Sequence, residues 1–465
     1  MIPCLCVTAL LLAGQLPAQA SDDITDIKAF LHDNFDKKNV GMVIGLVDEH
    51  GSRIFSAGKL DNGTDQEVDG DTVFEIGSIT KTFTALLLQE MAERGEIKLT
   101  DPVAKYLPES VKVPSYNHQE ITLLDLATQA SGLPFQPDNT LTITNDWENP
   151  WVGYTAEKIY AFLSGYTLPN APGAKFQYSN IGMAVLGHVL ALKGGTNYES
   201  LVVDRICRPL HMDSTRVALT PALHSRLAIG HALGKPAPNW DIYAAVGAGG
   251  LRSTANDLLK YVSAELGLKP SKLTPLMKET QVIRHLDSPD FGKTAMPWYD
   301  QLSYNFPGME LLGHGGGTGG YSTFVGFDKK QRRGVVVVSN QRVIHSPAVG
   351  WRILQHAQLT DRNPAEMMPV REIEGIGTGL KLDEPTGALR ITMVWSNSPA
   401  IKAGLKPGLT VQSINDIATA GKTLPECLDL IRGKAGAKLH FAVIDPERKQ
   451  TNTVEMTREK FLIYQ

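Results

Sequence analysis

Apolar and polar residues change rhythm several times along this chain, and each rhythm predicts an element. Residues 40–47 and 53–57 are apolar runs of strand-forming residues split by Asp48-Glu49-His50-Gly51, a turn-forming cluster, so they predict a hairpin. Three further strand-like runs come much later, at 310–312, 321–327 and 334–339, the most apolar stretch being Val335-Val336-Val337-Val338. Between the two groups the period lengthens. Residues 82–93, 121–128, 156–163, 181–192 and 256–266 carry apolar side chains at i, i+3 and i+4, as helices with one buried face do. The pattern predicts an α/β domain over residues 21–365, with an antiparallel β-sheet flanked by helices. The sheet draws on both ends of the domain, and a large helical subdomain is inserted between them.

After Asn363-Pro364 the rhythm changes again. Short strands are predicted at 389–394, 410–414 and 438–444, and a helix at 424–431. In Ser398-Pro399-Ala400-Ile401-Lys402-Ala403-Gly404, the serine can cap a short helix, the proline suits its first position and the glycine can end it. This block, with Ser413-Ile414-Asn415 and Ile431-Arg432-Gly433, resembles the PDZ domains of bacterial exported proteases. The resemblance implies a small β-rich domain over residues 370–465. It would take a partner's peptide C-terminus as an added strand, with Gly375-Ile376-Gly377-Thr378-Gly379-Leu380 as the carboxylate-binding loop.

At the other end, residues 7–13 form an apolar stretch too short to span a bilayer, followed by small residues at Ala18 and Ala20. We expect a signal peptide over residues 1–20, hence an exported protein, periplasmic or secreted, with no transmembrane anchor. Cys4 and Cys6 would leave with that peptide, so that Cys207 and Cys427, far apart in sequence, remain.

Composition narrows the function classes. At 465 residues, 42% hydrophobic and 20% charged, the chain has ample material for a core, and disorder is excluded. Lys and Arg total 45 against 49 Asp and Glu, with no long basic run, which speaks against a nucleic-acid partner.

The sharpest chemical feature is Ser78-Ile79-Thr80-Lys81, directly ahead of an apolar helical stretch. Residues three apart share a helix face, so Lys81 can reach the Ser78 hydroxyl. A lysine becomes a base when burial lowers its pKa from about 10.4. The helix start also directs backbone N–H groups to where an oxyanion would form. Ser56-Ala57-Gly58-Lys59 has the same spacing but falls at the end of a predicted strand with a glycine inside, where nothing holds the pair together. Tyr178-Ser179-Asn180 follows a Pro172-Gly173 loop, and its phenol and amide would face one site if the segment is extended. Gly313-His314-Gly315-Gly316-Gly317 borders a strand. Although residues 315–320 satisfy G-x-G-x-x-G, they lead into a strand and not a helix, which argues against a dinucleotide site.

Ser78-x-x-Lys81, Tyr178-x-Asn180 and His314-Gly315-Gly316, in that order, resemble the three motifs of the serine β-lactamase and penicillin-binding protein superfamily. The Y-x-N form is similar to its class C branch, which includes D-alanyl-D-amino-acid carboxypeptidases and carboxylesterases. Residues 126–134 and 247–254 also resemble that branch. The resemblance implies Ser78 as acylated nucleophile, Lys81 and Tyr178 as proton-transfer pair and Asn180 as substrate-positioning amide. His314 and Gly316 would line the substrate strand, and the Ser78 and Gly317 N–H groups would hold the oxyanion. Many members have Lys where His314 stands, and a histidine with a pKa of about 6.5 is mostly neutral at pH 7, which puts carboxylate recognition in question. With no H-e-x-x-H, Walker loop or metal-ligand spacing of histidines, neither metal nor cofactor is expected. The expected substrate is a small molecule or peptide: a β-lactam, a D-alanyl peptide or a small ester. A carboxylesterase without β-lactam turnover and a non-catalytic binding module are the alternatives.

Overall fold

A computed structural model describes residues 18–140, 149–232, 234–288, 292–300, 308–342, 345–360, 370–383, 387–394, 398–406, 408–445 and 450–464. The expected signal segment lies outside the described residues except for Ala18–Ala20, which open helix α1 (Ala18–Phe35). The loop at 136–151, expected to shape the substrate pocket, is described only in part.

The first large unit is an eight-stranded antiparallel sheet. In chain order its strands are β1 (Met42–Asp48), β2 (Gly51–Ala57), β3 (His285–Ser288), β4 (Gly292–Thr294), β5 (Tyr299–Asp300), β6 (Leu311–Gly317), β7 (Ser322–Asp328) and β8 (Arg333–Ser339). Their spatial order is β2-β1-β8-β7-β6-β5-β4-β3. The expected hairpin is present, and the first strand of the chain pairs with the last strand of the domain, Met42 opposite Ser339 and Val47 opposite Gly334. The sheet is therefore closed from both ends of the domain, as its hydrophobic pattern predicts.

Alternation along these central strands feeds two cores. Met42, Ile44 and Leu46, with Val335 and Val337, pack with Ile27, Phe30 and Leu31 of α1 and with helix α5 (Ser346–Leu354). Val43 and Val47, with Val336 and Val338, face the other way into a larger core. There they meet Leu258, Leu259 and Val262 of helix α4 (Ala255–Glu265). Side chains two apart on a strand share a face, so a run apolar at every position marks a strand covered on both sides.

The larger core continues into the helical part, through α2 (Thr80–Glu93) and α3 (Asn180–Gly194). Helix α3 is buried on nearly every side. Ser179 caps it by accepting from the Gly182 N–H at 2.8 Å, and Gly195 ends it with φ of 63°. Both devices follow the usual chemistry of helix ends.

The C-terminal part is β-rich with a core of its own, containing Ile376, Leu389, Ile391, Ile414, Cys427, Leu439 and Phe441. Strands β9 (Val370–Gly375), β10 (Thr378–Asp383), β11 (Ala388–Val394), β12 (Thr410–Ile414), β13 (Lys438–Asp445), β14 (Gln450–Thr457) and β15 (Glu459–Tyr464) form a sheet ordered β10-β11-β12-β13-β14 and a separate β9–β15 ribbon. Ser398 caps α6 (Pro399–Lys402), and a Thr423–Glu426 capping box starts α7 (Leu424–Ile431). The loop expected to bind a carboxylate runs from the end of β9 into the edge strand β10, and α7 lies against β10 and β12. Cys207 and Cys427 are free, buried thiols.

Candidate active site

Ser78 sits in a single 3-10 turn, Gly77–Ile79, that runs straight into α2. This turn is tighter than the α-helix expected at the motif, yet Lys81 still reaches back: its Nζ lies 2.9 Å from Ser78 Oγ. The amine also donates to the Ala248 carbonyl at 2.6 Å. Lys81 has no solvent exposure, and burial holds its pKa well below the usual lysine value, with no carboxylate among the described residues shown to restore the charge. The arrangement favours a neutral amine beside a hydroxyl, the state that can accept a proton.

Tyr178 completes the cluster. Its phenol is hydrogen-bonded with Ser78, and its ring centroid is 4.9 Å from Lys81 Nζ. Burial raises the phenol pKa above its ordinary value, so Tyr178 keeps its proton when Lys81 has lost its own. The segment carrying it is held by the loop that follows residues 123–127. Gln129 Oε1 accepts from the Ser179 N–H at 2.5 Å, the Gln129 carbonyl from Gln177 N–H at 2.6 Å, and the Phe135 carbonyl from Asn180 N–H at 2.9 Å. Asn180 is the first residue of α3, one position earlier than the hydrophobic period indicates, so the phenol and the amide sit on a helix entry and not on a continuous strand.

The third motif lies on β6, over the Ser78 turn. Gly77 has φ of +50°, and a Cβ added there would sit 2.7 Å from Gly317 N. A Cβ on Gly316 would sit 2.1 Å from the Ile76 carbonyl oxygen and 2.3 Å from Thr323 Oγ1. Only glycines allow strand and turn to approach this closely. His314 is buried; its ring lies 4.7 Å from that of Tyr299, and its Nδ1 is 2.6 Å from the Gly315 carbonyl. Burial first, and the charged form of Lys81 second, push its pKa down to about 3, so the imidazole is neutral at pH 7. The third motif thus supplies no fixed positive charge. In contrast to these residues, Ser56 and Lys59 stay apart from the site, with Lys59 paired to Asp65.

Three contributors escaped the sequence reading: the Ala248 carbonyl on Lys81, the Gln129 brace, and Glu75, buried at the end of the short strand Val73–Glu75 ahead of the turn, with Arg252 at 3.0 Å. The first two fall in segments already similar to the class C branch, so a search there for polar groups buried without local partners is the signal that finds them. Glu75 has no such mark, because its partner is 177 residues away.

The beta-lactamase family profile matches residues 25–359. The chain belongs to the beta-lactamase family. It is 30% identical over 312 residues to the D-alanyl-D-alanine-carboxypeptidase/endopeptidase AmpH of Escherichia coli, covering 64% of this chain and 78% of that protein. A beta-lactamase of Escherichia coli is 25% identical over 354 residues, 69% of this chain and 90% of that one. Among solved structures, a beta-lactamase/D-alanine carboxypeptidase from Yersinia pestis superposes with a TM-score of 0.62 at 25% identity, covering 75% of this chain and 98% of its own. A D-alanine carboxypeptidase from Burkholderia cenocepacia gives 0.59 at 27% identity, covering 72% and 99%. This family member is a serine hydrolase of the class C β-lactamase and DD-peptidase type. Among the described residues no helix is long and apolar enough to cross a membrane.

Proposed function

We propose that the protein is an exported hydrolase that opens the amide of a β-lactam or a D-alanyl peptide through an acyl-enzyme on Ser78. The supporting observation is the pairing of Ser78 Oγ with a fully buried, acid-free Lys81 amine at 2.9 Å. In this reading Lys81 Nζ takes the hydroxyl proton as Oγ bonds to the carbonyl carbon. The Ser78 and Gly317 N–H groups hold the resulting oxyanion, and Asn180 positions the acyl amide. As the C–N bond breaks, Tyr178 gives its proton to the leaving nitrogen and regains one from Lys81. Water, deprotonated by the same pair, then releases the acyl group. Relatives named as carboxypeptidase and beta-lactamase support both substrate classes.

Residues 1–20 are a signal peptide that directs the protein to the periplasm or out of the cell. Residues 21–365 form the hydrolase domain, and residues 370–465 form a PDZ-like domain that receives a peptide C-terminus beside β10. Turnover by a 21–365 fragment and peptide capture by a 370–465 fragment test that division separately.

A second reading, a carboxylesterase without β-lactam turnover, is favoured by the neutral His314 in place of a fixed cation. Steady-state kinetics on nitrocefin, a D-Ala-D-Ala peptide and a p-nitrophenyl ester decide between the two. Turnover of either amide supports the peptidase or lactamase reading. Turnover of the ester alone supports the esterase, and no turnover of any supports a binding module.

A further inference from the structure

Helix α2 carries more than the base. Thr80, Lys81 and Thr84, all in its first turns, reach one short segment, residues 247–251. Thr80 Oγ1 accepts from the Leu251 N–H at 3.1 Å, Lys81 Nζ donates to the Ala248 carbonyl at 2.6 Å, and Thr84 Oγ1 donates to the Gly247 carbonyl at 2.7 Å. Helix α3 presses the segment from behind: a Cβ on Gly247 would sit 2.8 Å from Gly187 Cα and from the Met183 carbonyl oxygen. Thr80, Lys81 and Thr84 have no solvent exposure, so a lost bond here is not replaced by bulk water.

Next to Thr84 stands Tyr198, the first residue of the short helix Tyr198–Val202, with its phenol oxygen 2.7 Å from Thr84 Oγ1. A threonine hydroxyl has one proton to give. The Gly247 carbonyl at 2.7 Å competes for it better than the Thr80 carbonyl at 3.2 Å, so Thr84 donates to Gly247 and Tyr198 donates to Thr84. Burial raises the Tyr198 pKa above its ordinary value and so keeps that donor protonated. The chain of donors ends one peptide unit from the carbonyl that Lys81 uses. That carbonyl can only accept. A neutral amine has two N–H groups and one lone pair, so an N–H is directed at Ala248 and the lone pair is left for the Ser78 hydroxyl proton, with Oγ 2.9 Å away.

Resting on the hydrolase reading above, we propose that Thr84, backed by Tyr198, fixes the Gly247–Ala248 peptide and so aims the lone pair of Lys81 at Ser78. Thr84 is a positioning residue, acting on Ser78 only through Ala248 and Lys81. The titratable groups that face Lys81 are Tyr178 at the entry of α3 and His314 on β6, with Tyr299 of β5 against His314. The substitutions below leave all three in place.

The test follows, across pH, the rate of Ser78 labelling by a fluorophosphonate and p-nitrophenyl ester turnover per labelled site, in wild type, Thr84→Val, Thr84→Ser and Tyr198→Phe. Valine keeps the shape of threonine and removes the hydroxyl. The proposal expects Thr84→Val to lower kcat and the labelling rate about 10- to 100-fold with KM within about twofold. The acid limb also moves to lower pH, because the ammonium form of Lys81 loses a charge-assisted bond to Ala248 and the neutral amine only a weaker one. Thr84→Ser returns to within about threefold of wild type, and Tyr198→Phe shifts the limb in the same direction by less. If Thr84→Val does not fold, Tyr198→Phe decides, and an unmoved limb there overturns the proposal. A lower melting temperature with the rate per labelled site and the acid limb unchanged makes Thr84 structural only and overturns it too, while labelling of wild-type Ser78 upholds the hydrolase. A wild type that is neither labelled nor active overturns the hydrolase reading, and this proposal with it.

Discussion

The chain spells Ser-x-x-Lys twice, and the two copies have opposite fates. At Ser56 and Lys59 the serine ends an exposed edge strand, and the lysine, partly open to water, is paired with Asp65. That carboxylate raises the Lys59 pKa above its ordinary value, first by hydrogen bonding and then by charge. At Ser78 and Lys81 a 3-10 turn feeding a buried helix holds the pair at 2.9 Å, and burial without an acid lowers the lysine pKa. The spacing is the same; the solvation decides the chemistry. A lysine is a base only where the protein removes water and withholds a counter-charge.

The largest expected effect sharpens this contrast at the nucleophile. Ser78→Ala should lower kcat/KM by about 10⁴-fold or more, whereas Ser56→Ala should stay within about twofold, both read by nitrocefin or ester hydrolysis. Next comes the base. Lys81→Met should cost about 10²- to 10⁴-fold, and Lys59→Met almost nothing. The pH profile carries the sign. Neutral Lys81 accepts the proton, so kcat/KM falls as pH drops through its pKa, and that acid limb lies well below the range of an ordinary lysine near 10.4. A profile that keeps rising up to pH 10 breaks the comparison.

Two smaller effects concern the surroundings. Gly316→Ala places a methyl against the Ile76 carbonyl oxygen, and should lower thermal stability by about 1–3 kcal/mol while reducing turnover through displacement of the Ser78 turn. Glu265, buried at the end of α4 with Gln281 Nε2 at 2.6 Å, shows the same desolvation acting on an acid, its pKa pushed up to about 8. Its folded form binds a proton that the unfolded chain has lost above pH of about 4.3. Its contribution to stability is therefore full at low pH, declines from about pH 4.3 to 8, and is flat above. Glu265→Gln should flatten that slope in melting temperatures recorded from pH 5 to 8.

The contrast between the two Ser-x-x-Lys copies also marks how far the sequence could be read. The strand runs at 40–47 and 334–339 were legible because central strands covered on both faces are apolar without interruption; helix α6 was legible from its Ser398 cap, and α3 and α7 from their apolar period. The short outer strands β3 to β5 were not, since two to four residues are too few to show a period. At the site, the first two motifs named side chains that the structure brings together, Ser78, Lys81 and Tyr178. Ala248 and Gln129 stayed hidden because each acts through a contact between segments distant in sequence: 167 residues for Lys81 with Ala248 and 50 for Ser179 with Gln129.

In the proposed mechanism Ser78, and not Ser56, is made nucleophilic by a buried neutral lysine. Intact-mass and peptide mass spectrometry after fluorophosphonate treatment at several pH values tests it most directly. A single adduct on the peptide containing Ser78, forming more slowly as pH falls and nearly abolished in Lys81→Met, is the predicted result. An adduct on Ser56 or elsewhere, or labelling of Ser78 that proceeds at the wild-type rate without Lys81, would contradict it.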